Sequence, residues 1–213
     1  MWVDITQTLT NDIAHWPEDT PFNFEVPVTK KDTGSVNIGK VTTSTHIGTH
    51  IDAPFHFDDN GETVESLDIN RYIGEATVIE VYDHKEITEA LLSEHDIRGT
   101  ILLVKTQHTY ETGIFPAGVP ALTEEAAKYI GGLGIRLFGV DVPSVDDIDS
   151  KDLKIHHTLY ENDIMIIENV VLTEAPGGYY DFIALPLKIE GADGSPVRAA
   201  VKKRGSDNVS VSG

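Results

Sequence analysis

Apolar and β-branched residues gather in short runs at Val41–Asp52, Ala76–Tyr82, Thr100–Thr106, Ile135–Asp141, Ile164–Val171 and Phe182–Ile189, most of them bounded by Gly, Asp or Pro. Runs of that length and composition predict β-strands. Pro186 inside the last run predicts an edge or a bulge, because proline cannot donate to a ladder. Two helices are expected. Thr88 caps a short one over Glu89–Ser93, and Thr123 caps a stronger one over Glu124–Ile130 that Gly131 and Gly132 stop. Glu124 and Glu125 also place negative charge where the helix dipole favours it. More strands than helices, in mixed order, indicate an α/β or mixed α+β domain built on a sheet.

No repeat or long linker interrupts the pattern, and 213 residues suit one domain. That domain is expected over residues 1 to 201. From Lys202 to Gly213 the chain turns basic and then rich in Ser, Gly and Asn, and is expected to be a disordered tail.

Charge and cysteine usage narrow the chemistry. With 35 acidic residues against 16 basic ones the formal charge is -19, which repels phosphate backbones and argues against a nucleic-acid partner. There are no cysteines. Thiolate nucleophiles, iron–sulfur clusters and cysteine zinc ribbons are therefore excluded, and a metal would have to be held by nitrogen and oxygen. The first residues carry Asp4 and Asp12 and are not expected to be a signal peptide, and runs such as Ile101 to Val104 fall far short of the roughly 20 residues that span a bilayer. A cytoplasmic protein with no membrane partner is expected.

The chemically dense segment is Ser44-Thr45-His46-Ile47-Gly48-Thr49-His50-Ile51-Asp52-Ala53-Pro54-Phe55-His56. His46, His50 and Asp52 share parity, so an extended chain points them to one face. In a straight strand, however, residues four apart lie about 13 Å apart, too far to chelate one ion. A helix is opposed by Gly48, the β-branched neighbours and Pro54. A strand bent at Gly48, where no Cβ restricts the backbone, would bring the three together. Imidazole and carboxylate ligands suit Zn²⁺ and also Mn²⁺. The alternative is a hydrogen-bonded core network without a metal. His56, beyond Pro54, is either a further ligand or a free imidazole suited to proton transfer, and spacing leaves both roles open. No Gly-x-Ser-x-Gly elbow is present, and Ser144 lacks the flanking glycines, so a serine-hydrolase route is not supported. Asp141 and Asp146 are expected to shape loops or the pocket. His15, His84, His95 and His108 are expected to be surface or structural.

The run His-Ile-Gly-Thr-His-Ile-Asp-Ala-Pro-Phe-His resembles the signature of the cyclase-like metal-dependent hydrolases, and within them their kynurenine formamidase (arylformamidase) branch. Further matches are Asp4-Ile5-Thr6, Trp16-Pro17-Glu18-Asp19-Thr20-Pro21-Phe22, Gly139-Val140-Asp141-Val142-Pro143-Ser144-Val145-Asp146, and His156 followed by Glu168 in Ile166-Ile167-Glu168-Asn169. The resemblance covers roughly residues 2 to 200 in consistent order, and Trp16 is what points to the formamidase branch. It implies a compact α/β (α+β mixed) domain of the swivelling β/β/α type, with a mixed, partly barrel-like sheet flanked by helices and assembled as homodimers or homotetramers. It implies two zinc ions, with manganese possible. His46, His50 and Asp52 would hold one with help from Glu168, and Asp52 and Glu168 would bridge to a second that His156 also holds. His56 would then donate and accept the proton, and Trp16 would contact the aromatic ring of a small aryl formamide, N-formyl-L-kynurenine, cleaved to formate and L-kynurenine in tryptophan degradation. The branch commonly has Gly where this chain has Glu18, and His157 offers an alternative register for the His156 ligand. Competing expectations are a manganese-dependent hydrolase opening a cyclic amide such as isatin, and a non-catalytic metal- or small-molecule-binding protein on the same scaffold.

Overall fold

The computed structural model describes residues 1–107 and 113–205. In chain order its strands are β1 (Trp2–Asp4), β2 (Asn23–Val28), β3 (Ile38–Thr42), β4 (His50–Asp52), β5 (Ile73–Glu80), β6 (Glu86–Ile87), β7 (Ile101–Lys105), β8 (Ala121–Leu122), β9 (Leu137–Val140), β10 (Met165–Glu168), β11 (Gly178–Ile183), β12 (Gly194–Pro196) and β13 (Ala200–Lys203). The α-helices are α1 (Lys30–Thr33), α2 (Glu89–Ser93), α3 (Glu124–Gly132) and α4 (Lys154–Glu161). Nine strands form one mixed, partly barrel-like sheet in the order β1-β13-β11-β5-β7-β9-β10-β4-β12. Its centre, β5-β7-β9-β10, is parallel, and every flanking pair is antiparallel.

Each central strand buries both faces, which is why these segments read as continuous apolar runs. Ile101, Leu103, Leu137, Met165 and Ile167 enter one core with Ile51, Tyr72, Phe182 and Val201. Leu102, Val104, Phe138, Val140 and Ile166 enter a second, beneath the helices, with Leu92, Ala126, Ala127, Ile130 and Leu159. Both expected N-caps form: the Thr88 side chain accepts from the Leu91 N–H and the Thr123 side chain from the Ala126 N–H. These bonds satisfy amides that a helix start would otherwise leave unpaired.

Several boundaries differ from the sequence expectation. The run Val41–Asp52 is not one bent strand. Its start belongs to β3, which pairs with β2 as a separate hairpin, and its end is β4, with a series of bends between. α3 continues through Gly131 and Gly132 rather than stopping before them. The last apolar run begins earlier, as β11, and leaves Pro186 in an isolated bridge to Val197. Lys202 and Lys203 are paired in β13, so the ordered chain extends past residue 201, and the rest of the expected tail from residue 206 lies outside the described residues. Among the described residues no helix is long and apolar enough to cross a membrane.

Candidate metal centre

Three elements meet on the helical face of the sheet near one edge. In β4, Ile51 enters the first core, so the alternation of the strand turns His50 and Asp52 to the opposite face. In β10, Ile167 likewise enters that core and turns Glu168 outward, and antiparallel pairing sets Glu168 directly beside His50. α4 lies across these strands and lowers His156 onto them. His50, Asp52, His156 and Glu168 are all buried, between 1 and 3 % exposed.

His46 reaches the group by a bend. Gly48 has φ 58°, a left-handed conformation that favours glycine, and a Cβ there would meet Leu9 Cδ2 at 2.6 Å. The expected hinge at Gly48 is therefore present, and it brings the His46 and His50 ring centroids to 5.2 Å. His56 sits on a single 3-10 turn begun by Pro54 and stacks on His46 at 3.9 Å. His156 is buried while His157 is exposed, its ring against Phe57.

The donors converge on two carboxylates. His50 Nδ1 donates to the Gly48 carbonyl at 2.8 Å, leaving Nε2 at 3.5 Å from both Asp52 Oδ1 and Glu168 Oε2. His156 Nδ1 pairs with Asp146 Oδ2 at 2.6 Å, leaving Nε2 at 3.5 Å from Asp52 Oδ2 and 3.8 Å from Glu168 Oε1. His46 pairs through Nδ1 with Asp52 Oδ1 at 2.9 Å and through Nε2 with Asp193 Oδ2 at 3.1 Å. Each of the three imidazoles thus has one nitrogen tied to an outer acceptor and the other aimed at the carboxylate pair, the pattern by which outer partners fix metal-ligating histidines.

Burial and crowding set the charges. Burial acts against the positive form of His46 and His156, but the facing carboxylates outweigh it and push both up to about 10. His50, the most deeply buried, is pushed down to about 4. Asp52, despite burial, is held well below the usual carboxylate range by His156 and His46, whereas burial and the neighbouring Asp52 push Glu168 well above it.

A divalent cation fits this group on two observations. Asp52 Oδ2 is buried and accepts no hydrogen bond, with His156 Nε2 standing off at 3.5 Å, an arrangement costly for a carboxylate oxygen that a bound cation would relieve. The donor set is also purely imidazole and carboxylate, as Zn²⁺ and Mn²⁺ accept. Among the described residues, two groupings bring donor atoms within 4.8 Å of one another: His50, Asp52 and Glu168, and His46, Asp52 and His56. The second includes His56, so both of its expected roles remain geometrically open.

Trp16 is half-buried, its ring 4.8 Å from Phe115. It walls a cleft of about 320 Å³ that His46, His50, His56, His156 and Glu168 also line, and a second cavity of about 520 Å³, which His46 shares. His15 and His84 line that second cavity, His95 does not, and His108 lies outside the described residues. Glu18, expected from the resemblance to stand where Gly is common, holds φ 71°, the left-handed region glycine favours.

Three features escaped sequence reasoning. α4 has no capping side chain of its own, its N-cap Leu153 being itself left-handed at φ 43°. Instead Asp146 accepts the Ile155 and His156 N–H groups as well as His156 Nδ1, capping the helix and orienting the imidazole at once. The spacing of Ile155, Thr158 and Leu159 is the signal that could have revealed the helix. Asp141, by contrast, shapes a loop as expected, accepting from the Thr106 and Gln107 backbone. Asp193 is the third feature, placed by β12 beside β4; the turn-prone Asp193-Gly194-Ser195-Pro196 was its only local mark.

The fold and sequence have known counterparts. Kynurenine formamidase of Bacillus thuringiensis subsp. konkukian is 50% identical over 202 residues, covering 94% of this chain and 97% of the relative. Kynurenine formamidase of Bacillus cytotoxicus matches with the same identity and coverage. Among solved structures, a potential metal-dependent hydrolase with cyclase activity superposes with TM-score 0.82 at 24% identity, covering 97% of this chain and 99% of the other. Isatin hydrolase A of Labrenzia aggregata, bound to benzyl benzoate, superposes with TM-score 0.81 at 23% identity over 96% of this chain and 94% of its own. The Cyclase family model matches residues 3–147, and the chain accordingly belongs to the cyclase family, whose relatives include metal-dependent hydrolases.

Proposed function

We propose that the chain is an arylformamidase that hydrolyses N-formyl-L-kynurenine to L-kynurenine and formate. The observation that carries this is the buried Asp52 Oδ2, which accepts no hydrogen bond, among three oriented imidazoles that themselves line a cleft walled by Trp16. The half-identical relatives named kynurenine formamidase support the choice of substrate.

In this reading His46, His50, Asp52 and Glu168 hold one zinc ion, and Asp52, Glu168 and His156 a second, with manganese an acceptable substitute. Such cations, when bound, supply Lewis acidity that makes water nucleophilic near neutral pH. Trp16 stacks on the anilide ring, and such aromatic contacts contribute about 0.5–1.5 kcal/mol beyond area burial. The larger cavity that Trp16 also lines has room for the amino-acid chain that the ring carries. His56, with its side chain 31 % exposed, stands at the mouth of the cleft and not in its floor. It takes the proton of the attacking water and delivers it to the anilide nitrogen as the C–N bond breaks, so the amine leaves neutral and formate remains. The setting is cytoplasmic and the assembly a homodimer or homotetramer, the latter read by sedimentation of the purified protein.

Protein reconstituted with zinc or manganese is incubated with N-formylkynurenine and, separately, with isatin. Formate released from the first is the expected result. Ring opening of isatin without formate release would replace this reading with that of a cyclic-amide hydrolase. Turnover of neither would leave a binding protein on the same scaffold.

A further inference from the structure

We infer that Asp193 is a positioning residue that orients the proton-transfer imidazole His56 and the metal-facing His46 together; this rests on the function proposed above.

Asp193 immediately precedes β12, the edge strand that pairs antiparallel with β4. Its own carbonyl accepts the Ala53 N–H at 2.8 Å, so its backbone is fixed where β4 ends and the His56 turn begins. The next residue has to be glycine: a Cβ on Gly194 would lie 2.8 Å from His46 Cε1 and 3.0 Å from the Ile51 carbonyl oxygen. The absence of that Cβ lets the strand press against the His46 ring and delivers the Asp193 carboxylate to its edge.

The two oxygens of that carboxylate have separate tasks. Oδ1 accepts from the Thr45 hydroxyl at 2.7 Å, which fixes its orientation. Oδ2 lies 3.1 Å from His46 Nε2 and 3.8 Å from His56 Nδ1. His46 is thereby gripped at both ends, by Asp52 on Nδ1 and Asp193 on Nε2, and the His56 ring lies against it, centroids 3.9 Å apart and planes tilted by 36°. His56 faces the same oxygen with Nδ1. An imidazole that passes protons through one nitrogen needs the other held, with its hydrogen, toward an acceptor. A carboxylate in that position sets both the tautomer and the facing of the ring. Asp193 is the group placed to do this for His56, and through His46 it links the proton path to the metal centre. It touches neither substrate nor reacting atoms in this arrangement, so its effect is exerted through the two imidazoles. A plain loop staple through Thr45 would make none of these demands on Oδ2.

The test uses full-length zinc-loaded D193N, D193E and D193A beside wild type. D193N keeps the shape and, with Oδ1 still accepting from Thr45, replaces the acceptor facing the imidazoles by an amide N–H donor. Its kcat on N-formylkynurenine is expected to fall about 10- to 100-fold, the usual scale for losing an outer-shell partner, with KM changed less than about threefold. The loss should shrink on a nitro-substituted aryl formamide, whose departing amine needs less help from a proton, and D193E should recover part of kcat. Zinc affinity, read by chelator competition on the metal-free protein, should also weaken in D193N. A drop in melting temperature alone, with kcat within about twofold of wild type, overturns the inference. So does a loss equal across leaving groups with zinc affinity unchanged. If D193A fails to fold, the isosteric D193N still decides. Should wild type itself release no formate, the functional reading fails separately; unchanged zinc affinity in D193N would then overturn the role of Asp193 as well.

Discussion

Metal binding should be strongly pH-dependent, and the structure fixes the sign. In the metal-free protein His46 and His156 are pushed up to about 10 by the carboxylates around them, so both carry protons at neutral pH. A protonated imidazole cannot donate to a metal, and each must lose its proton on binding. His50, pushed down to about 4, is already neutral, and Asp52, held low, is already ionised. At pH 7.5 each of the two imidazoles sits about 2.5 units below its own value, a cost of about 3 kcal/mol apiece at 1.36 kcal/mol per unit. Both groups are deeply buried, so solvent screening removes little of this. Affinity should therefore rise with pH, by about tenfold per unit for each displaced proton and about 100-fold per unit for the pair. Chelator competition between pH 6.5 and 8.5, corrected for the chelator's own protonation, reads the slope. Calorimetry in two buffers of different ionisation enthalpy reads the protons released, at least the two from His46 and His156 at pH 7.5, together with any that Glu168, pushed above the usual carboxylate range, still holds. The same shifts give the metal-free protein a stability term with the opposite trend. Because the folded values lie above the unfolded value of about 6.5, that term is complete below pH 6.5 and fades as pH rises through about 10. A flat affinity profile with no proton release would refute the argument, since it would mean the imidazoles are neutral before the metal arrives.

His56→Ala should retain zinc and lose about 10²- to 10⁴-fold in kcat, the range for a positioned acid–base group; loss of metal together with turnover would instead make His56 a ligand in the His46–Asp52 grouping. Gly194→Ala should displace the His46 ring, because the added carbon would lie 2.8 Å from its Cε1. A destabilisation of about 1–3 kcal/mol, typical of overpacking, and weaker zinc binding are expected by thermal melting and competition, and wild-type values for both would show that this wall can yield.

What the sequence discloses at this site depends on how local each cause is. His50 and Asp52 fall on one face because β4 is a strand, and a period of two is legible in three residues. His46 obeys a different cause. Alternation alone would leave it about 13 Å from His50, and only the left-handed turn at Gly48, packed against Leu9 from the first loop, closes that distance. The glycine could be read; the residue it must avoid could not. α4 was hidden for a related reason, since its first amides are capped by Asp146 from a preceding segment and not by a residue at its own start. The β2–β3 hairpin escaped because Phe24, Val26, Ile38 and Val41 are all exposed, so its strands carry no buried face for a pattern to mark. Asp193 is the extreme case, its partner His46 being 147 residues away in sequence. The inner ligands sit on elements whose periodicity places them, whereas the groups that orient those ligands arrive from turns and strand ends whose position only the closed sheet determines. A variant series confined to the histidines that sequence reveals would therefore leave Asp146 and Asp193, the carboxylates that aim them, untested.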